Sequence, residues 1–181
     1  DYLRAAGGAC PEITSLMWYA LRSVGLPVNY DYIIQWANRS QSHSWNSLWV
    51  DSVLYSFGMS DPEFGKHFES RPQERVGKVY RKMFSFQPQS LPNQRGALAE
   101  GIPPAFRSPF IKDVSESYFD GIDLVLKLTI PIAAPKKFAY LVVFDNRNWV
   151  PVAWSRIKRG RVAFDHVEKG CAYMVMYYDR G

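Results

Sequence analysis

Apolar residues recur at helical spacing early in the chain, in the stretch that follows Pro11. The series consists of Ile13, Leu16, Met17, Ala20, Leu21 and Val24, which would share one face of a helix. Pro11 suits the first helical position, because an N–H there would have no partner within the helix. Gly25 followed by Pro27 is a typical C-terminal stop. The pattern predicts one amphipathic helix that begins near Cys10 and ends at Gly25.

Three strand-like runs follow the predicted helix, at residues 28–34, 43–50 and 53–57, with a tight Asp51-Ser52 turn between the last two. Residues 73–84 are expected to form a second, basic helix that covers the sheet. A helix followed by a strand meander is typical of an α+β arrangement and not of βαβ units. We therefore expect an α+β fold in which the Cys-bearing helix packs on an antiparallel sheet.

A proline-rich stretch at residues 87–109 separates the second half of the chain from the first. Such a stretch is typical of a linker or a long surface crossover. About five strand-like runs follow it, and two of them flank a hairpin turn at residues 145–148. We expect three units: a catalytic core at residues 1–86, the linker or crossover at residues 87–109, and a small antiparallel β-sandwich at residues 110–181.

Composition and charge narrow the range of functions. The chain has 181 residues and a net charge of +5, and its dense basic stretch, residues 156–161, is expected to be a solvated hairpin turn. Because no nucleic-acid motif accompanies that charge, we predict no nucleic-acid partner. No apolar run approaches the roughly 18 residues of a membrane span. The aromatic content, 6 Trp, 11 Tyr and 11 Phe, suits β-rich packing and peptide or carbohydrate grooves alike.

The two cysteines, Cys10 and Cys171, lie near opposite ends of the chain, so no disulfide framework is predicted. Two thiols cannot form a Cys-rich zinc site, and no segment carries the spaced acidic ligands of a calcium loop. We therefore expect neither a metal nor another cofactor. Any chemistry would have to come from the side chains of the protein itself.

Cys10 stands at the start of the predicted helix, ahead of its apolar stripe and behind two glycines. The free N–H groups and partial positive charge of a helix N-terminus favour a thiolate and can hold an oxyanion. His43 opens the second strand and is the candidate base, because a catalytic thiol needs a base held by a rigid element. Each residue also has an ordinary interpretation, as a structural thiol and as a surface or core histidine.

Asp61, just after the third strand, is the candidate that would orient the imidazole of His43. Asp51 is the weaker alternative, because it belongs to the turn at the far end of the hairpin. The ordinary interpretation of Asp61 is a turn aspartate before a proline. The remaining histidines, His67 and His166, have no partners that the sequence reveals, and we expect them at the surface.

Together these segments resemble the transglutaminase-like superfamily over residues 7–62. The segments concerned are Gly-Gly-Ala-Cys10, the stretch from Leu21 to Pro27, His43-Ser44-Trp45-Asn46 and Asp61. Trp36, Asn38 and residues 78–82 resemble a bacterial branch of that family found in Bacteroidetes. The resemblance implies a papain-like core and a Cys-His-Asp triad. In it, Cys10 would be the nucleophile, His43 the general base and acid, and Asp61 the orienting carboxylate.

The resemblance also implies a function and a setting. We expect a secreted, periplasmic or cell-surface cysteine hydrolase that acts on amide or peptide bonds of a peptide or protein substrate, through an acyl-thioester on Cys10. Trp36 and Trp45 are the candidate substrate-binding residues, although Trp45 is expected to pack beneath the site. Few residues precede Cys10, where the family has helices, so we expect either a trimmed chain or a branch with a reduced core.

Two alternatives stay open at this point. The first is a catalytically inactive scaffold of the same kind, whose β-domain binds a peptide or a cell-surface glycan. Its aromatic platform would consist of Trp149, Trp154, Tyr173, Tyr177 and Tyr178, which alternate as core residues equally well. The second is a papain-like protease proper. It fits less well, because papain-type enzymes place a long stretch between cysteine and histidine, whereas Cys10 and His43 are close in sequence.

Overall fold

The computed structural model describes residues 10–59, 61, 63–69, 72–129 and 136–178. The longest helix in this part of the chain, α1, spans Cys10–Ser23. Gly25 has a φ of 90°, and the N–H of Leu26 donates to the carbonyl of Leu21 at 3.1 Å. These two features close the helix in a Schellman motif. The predicted helix and its glycine stop are confirmed.

An antiparallel sheet of five strands follows α1. Its strands are β1 (Asn29–Ile33), β2 (His43–Val50), β3 (Val53–Phe57), β4 (Tyr80–Lys82) and β5 (Ile111–Asp113), in the order β3-β2-β1-β4-β5. The β2–β3 hairpin turns at Asp51 and Ser52, whose φ angles of 47° and 66° are those of a type I′ turn. Trp18 of α1 packs into a core cluster with residues of β1 and β3. The helix therefore covers the part of the sheet formed by β1 to β3.

Two smaller antiparallel sheets form the second half. Their strands are β6 (Gly121–Lys127), β7 (Phe138–Asp145), β8 (Asn148–Arg156), β9 (Arg161–Glu168) and β10 (Met174–Met176). One sheet has the order β10-β7-β8 and the other pairs β6 with β9. Leu141 of β7 and Ala153 of β8 share a buried cluster with Val162 and Phe164 of β9. The antiparallel strands predicted for this half are present, and the two sheets share one core.

The proline-rich stretch at residues 87–109 is packed between the two halves. It contains two 3₁₀ turns, Leu91–Asn93 and Pro104–Phe106, and the short helix α2, Ala97–Glu100. Its buried residues join one core cluster with residues of β4 and β7. The cluster contains Tyr80, Leu91, Ala97, Ile102, Phe106, Phe138, Tyr140 and Val142. The division into units at residues 86 and 109 stays a prediction, and β5, which follows that stretch, hydrogen-bonds to β4 of the first sheet.

The predicted α+β fold with a papain-like core is wrong. Strands account for 38% of the described residues and helices for 17%, and the sheets are antiparallel. Residues 73–84, expected to form a helix, are an extended segment that includes β4. Two basic residues of that segment explain the difference. Lys78 bonds Asp113 at 2.5 Å and Arg81 bonds Asp31 at 2.7 Å, so neither lines a solvated helix face.

Candidate active site

Cys10 is the first residue of α1, and it is exposed. The hydroxyl of Thr14, one turn later, donates a 2.7 Å hydrogen bond to the Cys10 carbonyl and lies 3.1 Å from the hydroxyl of Ser44 in β2. Because Thr14 uses its proton for Cys10, the Ser44 hydroxyl is the donor in the second bond. One buried hydroxyl therefore ties the first turn of α1 to the start of β2, where His43 begins the strand.

Asn46 ties α1 to β2 at a second point. Its side-chain amide donates to the carbonyl of Thr14 at 3.2 Å, and the residue is fully buried. Because side chains alternate along a strand, Asn46 faces α1 whereas His43 points to the opposite side of β2. Cys10 and His43 thus lie near the same end of β2, with α1 and the His43 side chain on opposite faces of the strand.

The imidazole of His43 stacks against two indoles. Its centroid lies 5.3 Å from that of Trp36 and 5.8 Å from that of Trp45, with the planes inclined by 23° and 30°. Trp36 is 2% exposed and Trp45 is completely buried. Side chains with so little free surface pack beneath a site and do not contact a substrate. The structure therefore favours the packing role for both residues over the predicted substrate contact.

The imidazole of His67 lies between His43 and Asp61. Nε2 of His43 is 2.8 Å from Nε2 of His67, and Nδ1 of His67 is 2.7 Å from Oδ2 of Asp61. The predicted link between Asp61 and His43 is therefore made through a second histidine. His67 is only 2% exposed, so the prediction that it lies at the surface is wrong. We call His43, His67 and Asp61 the imidazole series.

A tight loop after β3 carries Asp61 and His67 and positions His67 beside His43. The N–H of Gly58 donates to Asp61 Oδ2 at 2.6 Å, and the N–H of His67 donates to the carbonyl of Ser56 in β3 at 3.3 Å. Gly65 has a φ of +84°, and a Cβ there would lie 2.6 Å from Cδ1 of Tyr55. Only glycine allows the loop to pass so close to β3. Sequence reasoning missed the role of His67. Gly65, two residues earlier, is the local signal that the loop turns back towards β3.

A buried polar network supports the indole of Trp45 from below. Trp45 Nε1 donates to the hydroxyl of Tyr118 at 3.0 Å, and Tyr118 donates to the carboxylate of Asp31. Asp31 also accepts two 2.7 Å bonds from the guanidinium of Arg81 and a 2.6 Å bond from Ser47. Burial, together with the neighbouring Asp31 charge, raises the pKa of Tyr118. Tyr118 therefore stays a neutral donor that fixes the position of Trp45.

The five aromatic residues proposed as a binding platform lie in three separate parts of the structure. Trp154 and Tyr178 pack against the core cluster of the proline-rich stretch, and Tyr173 and Tyr177 pack against the core shared by the two smaller sheets. Trp149, on β8, pairs with Phe144 across the hairpin at 5.2 Å. These contacts favour the core interpretation for four of the five residues.

Comparison of the chain with protein-family models, with curated proteins and with solved structures finds no match. The resemblance to the transglutaminase-like superfamily stays a prediction based on motifs. Within the described ranges, no group of three or more His, Cys, Asp or Glu side chains is arranged to hold a metal ion. No helix in the same ranges combines the length and the apolar character needed to cross a membrane.

Proposed function

We propose that the chain is a transglutaminase-like cysteine hydrolase, which cleaves amide or peptide bonds through an acyl-thioester on Cys10. The observation that carries this proposal is the imidazole series, which begins at the end of β2 to which Cys10 is tied. An imidazole linked by hydrogen bonds to a carboxylate is the arrangement that lets histidine act as a base. An exposed cysteine at a helix N-terminus is a matching nucleophile.

In the proposed reaction the Cys10 thiol first gives its proton to His43. This transfer requires the thiol to reach the imidazole at the end of β2, beyond the face that α1 covers. The thiolate attacks the carbonyl carbon of the substrate, and the electron pair of the carbonyl moves to its oxygen. Backbone N–H groups in the first turn of α1 stabilise this oxyanion, except at Pro11, which has none. As the tetrahedral intermediate collapses, the carbon–nitrogen bond breaks and His43 returns its proton to the leaving amine.

Water completes the cycle. His43, again neutral, accepts a proton from a water molecule that attacks the thioester carbon, and the carbon–sulfur bond then breaks. The products are a carboxylic acid and the regenerated thiol of Cys10. We propose hydrolysis over cross-linking, with a peptide or protein amide as substrate. A secreted, periplasmic or cell-surface setting is part of the same proposal and rests on the family resemblance.

Release of amine from a set of peptide amides tests the proposal, with the acyl-enzyme followed by intact mass. We expect the parent to release amine, and Cys10→Ala and His43→Ala each to lower the rate by about 10²–10⁴-fold. Cys171→Ser is the matched control, because it removes the other thiol and should retain the parent rate. A mass adduct should form on the parent and on Cys171→Ser but not on Cys10→Ala.

The result that would overturn the proposal is amine release from Cys10→Ala at the parent rate, or none from any of the proteins. The second outcome favours the inactive scaffold with a binding β-half. Glycan-array and peptide-array binding by the full chain would then be the measurement of choice. Trp149 would be the first residue to substitute, because it is exposed and pairs with exposed Phe144.

A further inference from the structure

We propose that His67 is a positioning residue that sets the tautomer of His43. In this arrangement His67 accepts a hydrogen bond from Nε2–H of His43, so that a neutral His43 has its lone pair on Nδ1. Under the proposed function, that nitrogen takes the proton of Cys10. The catalytic consequence rests on the proposed function, whereas the tautomer itself can be measured without any activity.

Asp61 accepts the hydrogen bonds at one end of the imidazole series. Its Oδ2 accepts the N–H of Gly58 at 2.6 Å and lies 2.7 Å from Nδ1 of His67. An ionised carboxylate has acceptors only, so the proton of this second bond belongs to Nδ1 of His67. A neutral imidazole with its proton on Nδ1 has a lone pair on Nε2. The end of His67 that faces His43 is therefore an acceptor.

His67 and His43 are joined by a hydrogen bond between their Nε2 atoms. The two Nε2 atoms are 2.8 Å apart, which is a hydrogen-bond distance and requires one proton between them. If His67 is neutral, with its proton on Nδ1, the proton between the rings belongs to Nε2 of His43. Neutral His43 then has its lone pair on Nδ1. The proposed direction of each hydrogen bond in the series thus starts from the carboxylate of Asp61 and a neutral His67.

Aromatic packing restricts the orientation of both imidazole rings. The two imidazole planes are inclined by only 6°, with centroids 5.0 Å apart. His43 stacks on Trp36 and Trp45, and His67 packs against Trp45 and Phe68 at 5.6 Å and 4.9 Å. Aromatic neighbours on these faces oppose rotation of either ring. When Nδ1 of His43 takes the thiol proton, the resulting cation keeps its bond to His67, and the Asp61 charge stabilises it.

The decisive experiment is ¹⁵N NMR of the histidine rings in a Cys10→Ala variant, in which no thiol can exchange a proton with His43. The chain has three histidines, so His43→Gln and His166→Gln assign the ring signals. We expect His43 to carry its proton on Nε2 and to show a through-bond nitrogen–nitrogen coupling to Nε2 of His67. A proton on Nδ1 of His43 would mean that His67 is the donor, and would overturn the proposal.

Substitution of His67 tests the consequence for Cys10. The amide oxygen of Gln can still accept from Nε2–H of His43, whereas the thioether of Met is a weak acceptor at best. We expect alkylation of Cys10 at pH 7 to fall by at least about tenfold in His67→Met and by much less in His67→Gln. His166→Gln is the matched control, since His166 bonds Phe119 and Gly121 of the second half.

The two experiments separate failure of this inference from failure of the proposed function. An Nε2–H tautomer in a protein that hydrolyses nothing would leave the role of His67 standing and remove the function. Equal alkylation rates in the parent, His67→Met and His67→Gln would remove the role of His67 even where hydrolysis is observed. Near-ultraviolet circular dichroism of each variant checks that the fold is retained, and the NMR experiment does not depend on any His67 variant.

Discussion

The two halves of the protein bury different kinds of side chain. In the first sheet, Asp31, Asn46 and Ser47 have no exposed surface, and the loop after β3 adds buried His67. In the second half, residues 138–143 of β7 are all buried and are all apolar or aromatic. Buried polar side chains are therefore concentrated around the first sheet, beside its own apolar clusters, whereas this stretch of β7 buries apolar and aromatic side chains alone.

This difference separates two tasks. Burying polar groups costs desolvation free energy, so a buried ion pair is weak support for stability. A network in which the hydrogen bonds are made does, however, hold side chains in one arrangement. The polar interior of the first sheet lies beneath Trp45 and the imidazole series, where orientation matters. We infer that the polar network of the first sheet positions the candidate site, whereas the apolar clusters of both halves supply stability.

The largest effect should follow removal of one partner of the buried charge pair. Arg81→Met leaves the carboxylate of Asp31 buried without its cation, and we expect a loss of about 3–5 kcal/mol in the free energy of unfolding. Urea denaturation measures this loss. The matched control is the double variant Asp31→Asn/Arg81→Met, which removes both charges but keeps an oxygen that can accept from Tyr118 and Ser47, so it should recover much of the stability. A loss below about 1 kcal/mol in the single variant would contradict the assignment of a buried, uncompensated charge.

A cavity in the second half should cost stability without affecting the site. Leu141 is 1% exposed, and Leu141→Ala should lower the free energy of unfolding by about 3 kcal/mol. The rate at which Cys10 is alkylated in the folded protein should stay at the parent value. Both quantities come from one set of samples, by urea denaturation and by a timed reaction with iodoacetamide. A changed alkylation rate would show that packing in the second half affects the reactivity of Cys10.

Gly65 links loop geometry to the imidazole series. Gly65→Ala meets both a left-handed φ and the ring of Tyr55, so we expect a loss of about 2 kcal/mol and slower alkylation of Cys10, because His67 is displaced. Gly160→Ala is the matched control. Gly160 has a φ of +69° but nothing within 4 Å of an added Cβ, so only the backbone strain applies. Equal stability losses and equal alkylation rates for the two variants would show that the approach to Tyr55 has no effect.

Much of the local structure could be predicted from sequence because its signals are local. Pro11 and Gly25 mark the ends of α1, and the Asp51-Ser52 turn joins β2 to β3 as expected. Strands β7 and β8 flank the expected turn at residues 145–148. Each of these features depends on residues within one turn of the chain, so a single sequence contains the information.

The placement of β4 and His67 depends on contacts between distant parts of the chain. Lys78 and Arg81 look like the polar face of a basic helix, yet both are paired with carboxylates from other strands. His67 becomes a buried partner of His43 only because its loop returns to β3. Cys10 and His43 could be selected as candidates by residue type and position. The intermediate in the link from His43 to Asp61 could not.

The smallest effect concerns the two thiols, one in each half. Cys171 lies beside the buried cluster of Ala37, Val143 and Val152, and burial raises the pKa of its thiol. A raised pKa means a smaller thiolate fraction at any pH below it, and the thiolate is the form that reacts. At pH 7 we therefore expect iodoacetamide to label exposed Cys10 while most of Cys171 stays unmodified.

Peptide mass mapping after timed labelling between pH 6 and pH 9 measures both thiols in one sample. Labelling of Cys171 should increase towards the alkaline end of that range, because deprotonation of this half-buried thiol requires the higher pH. In urea the burial is lost, and Cys171 should then react as an ordinary thiol, which makes the denatured protein the control. Equal labelling of both thiols in the folded protein at pH 7 would mean that the environment of Cys171 is no less polar than that of Cys10. The difference between the two halves would then not extend to the environments of their cysteines.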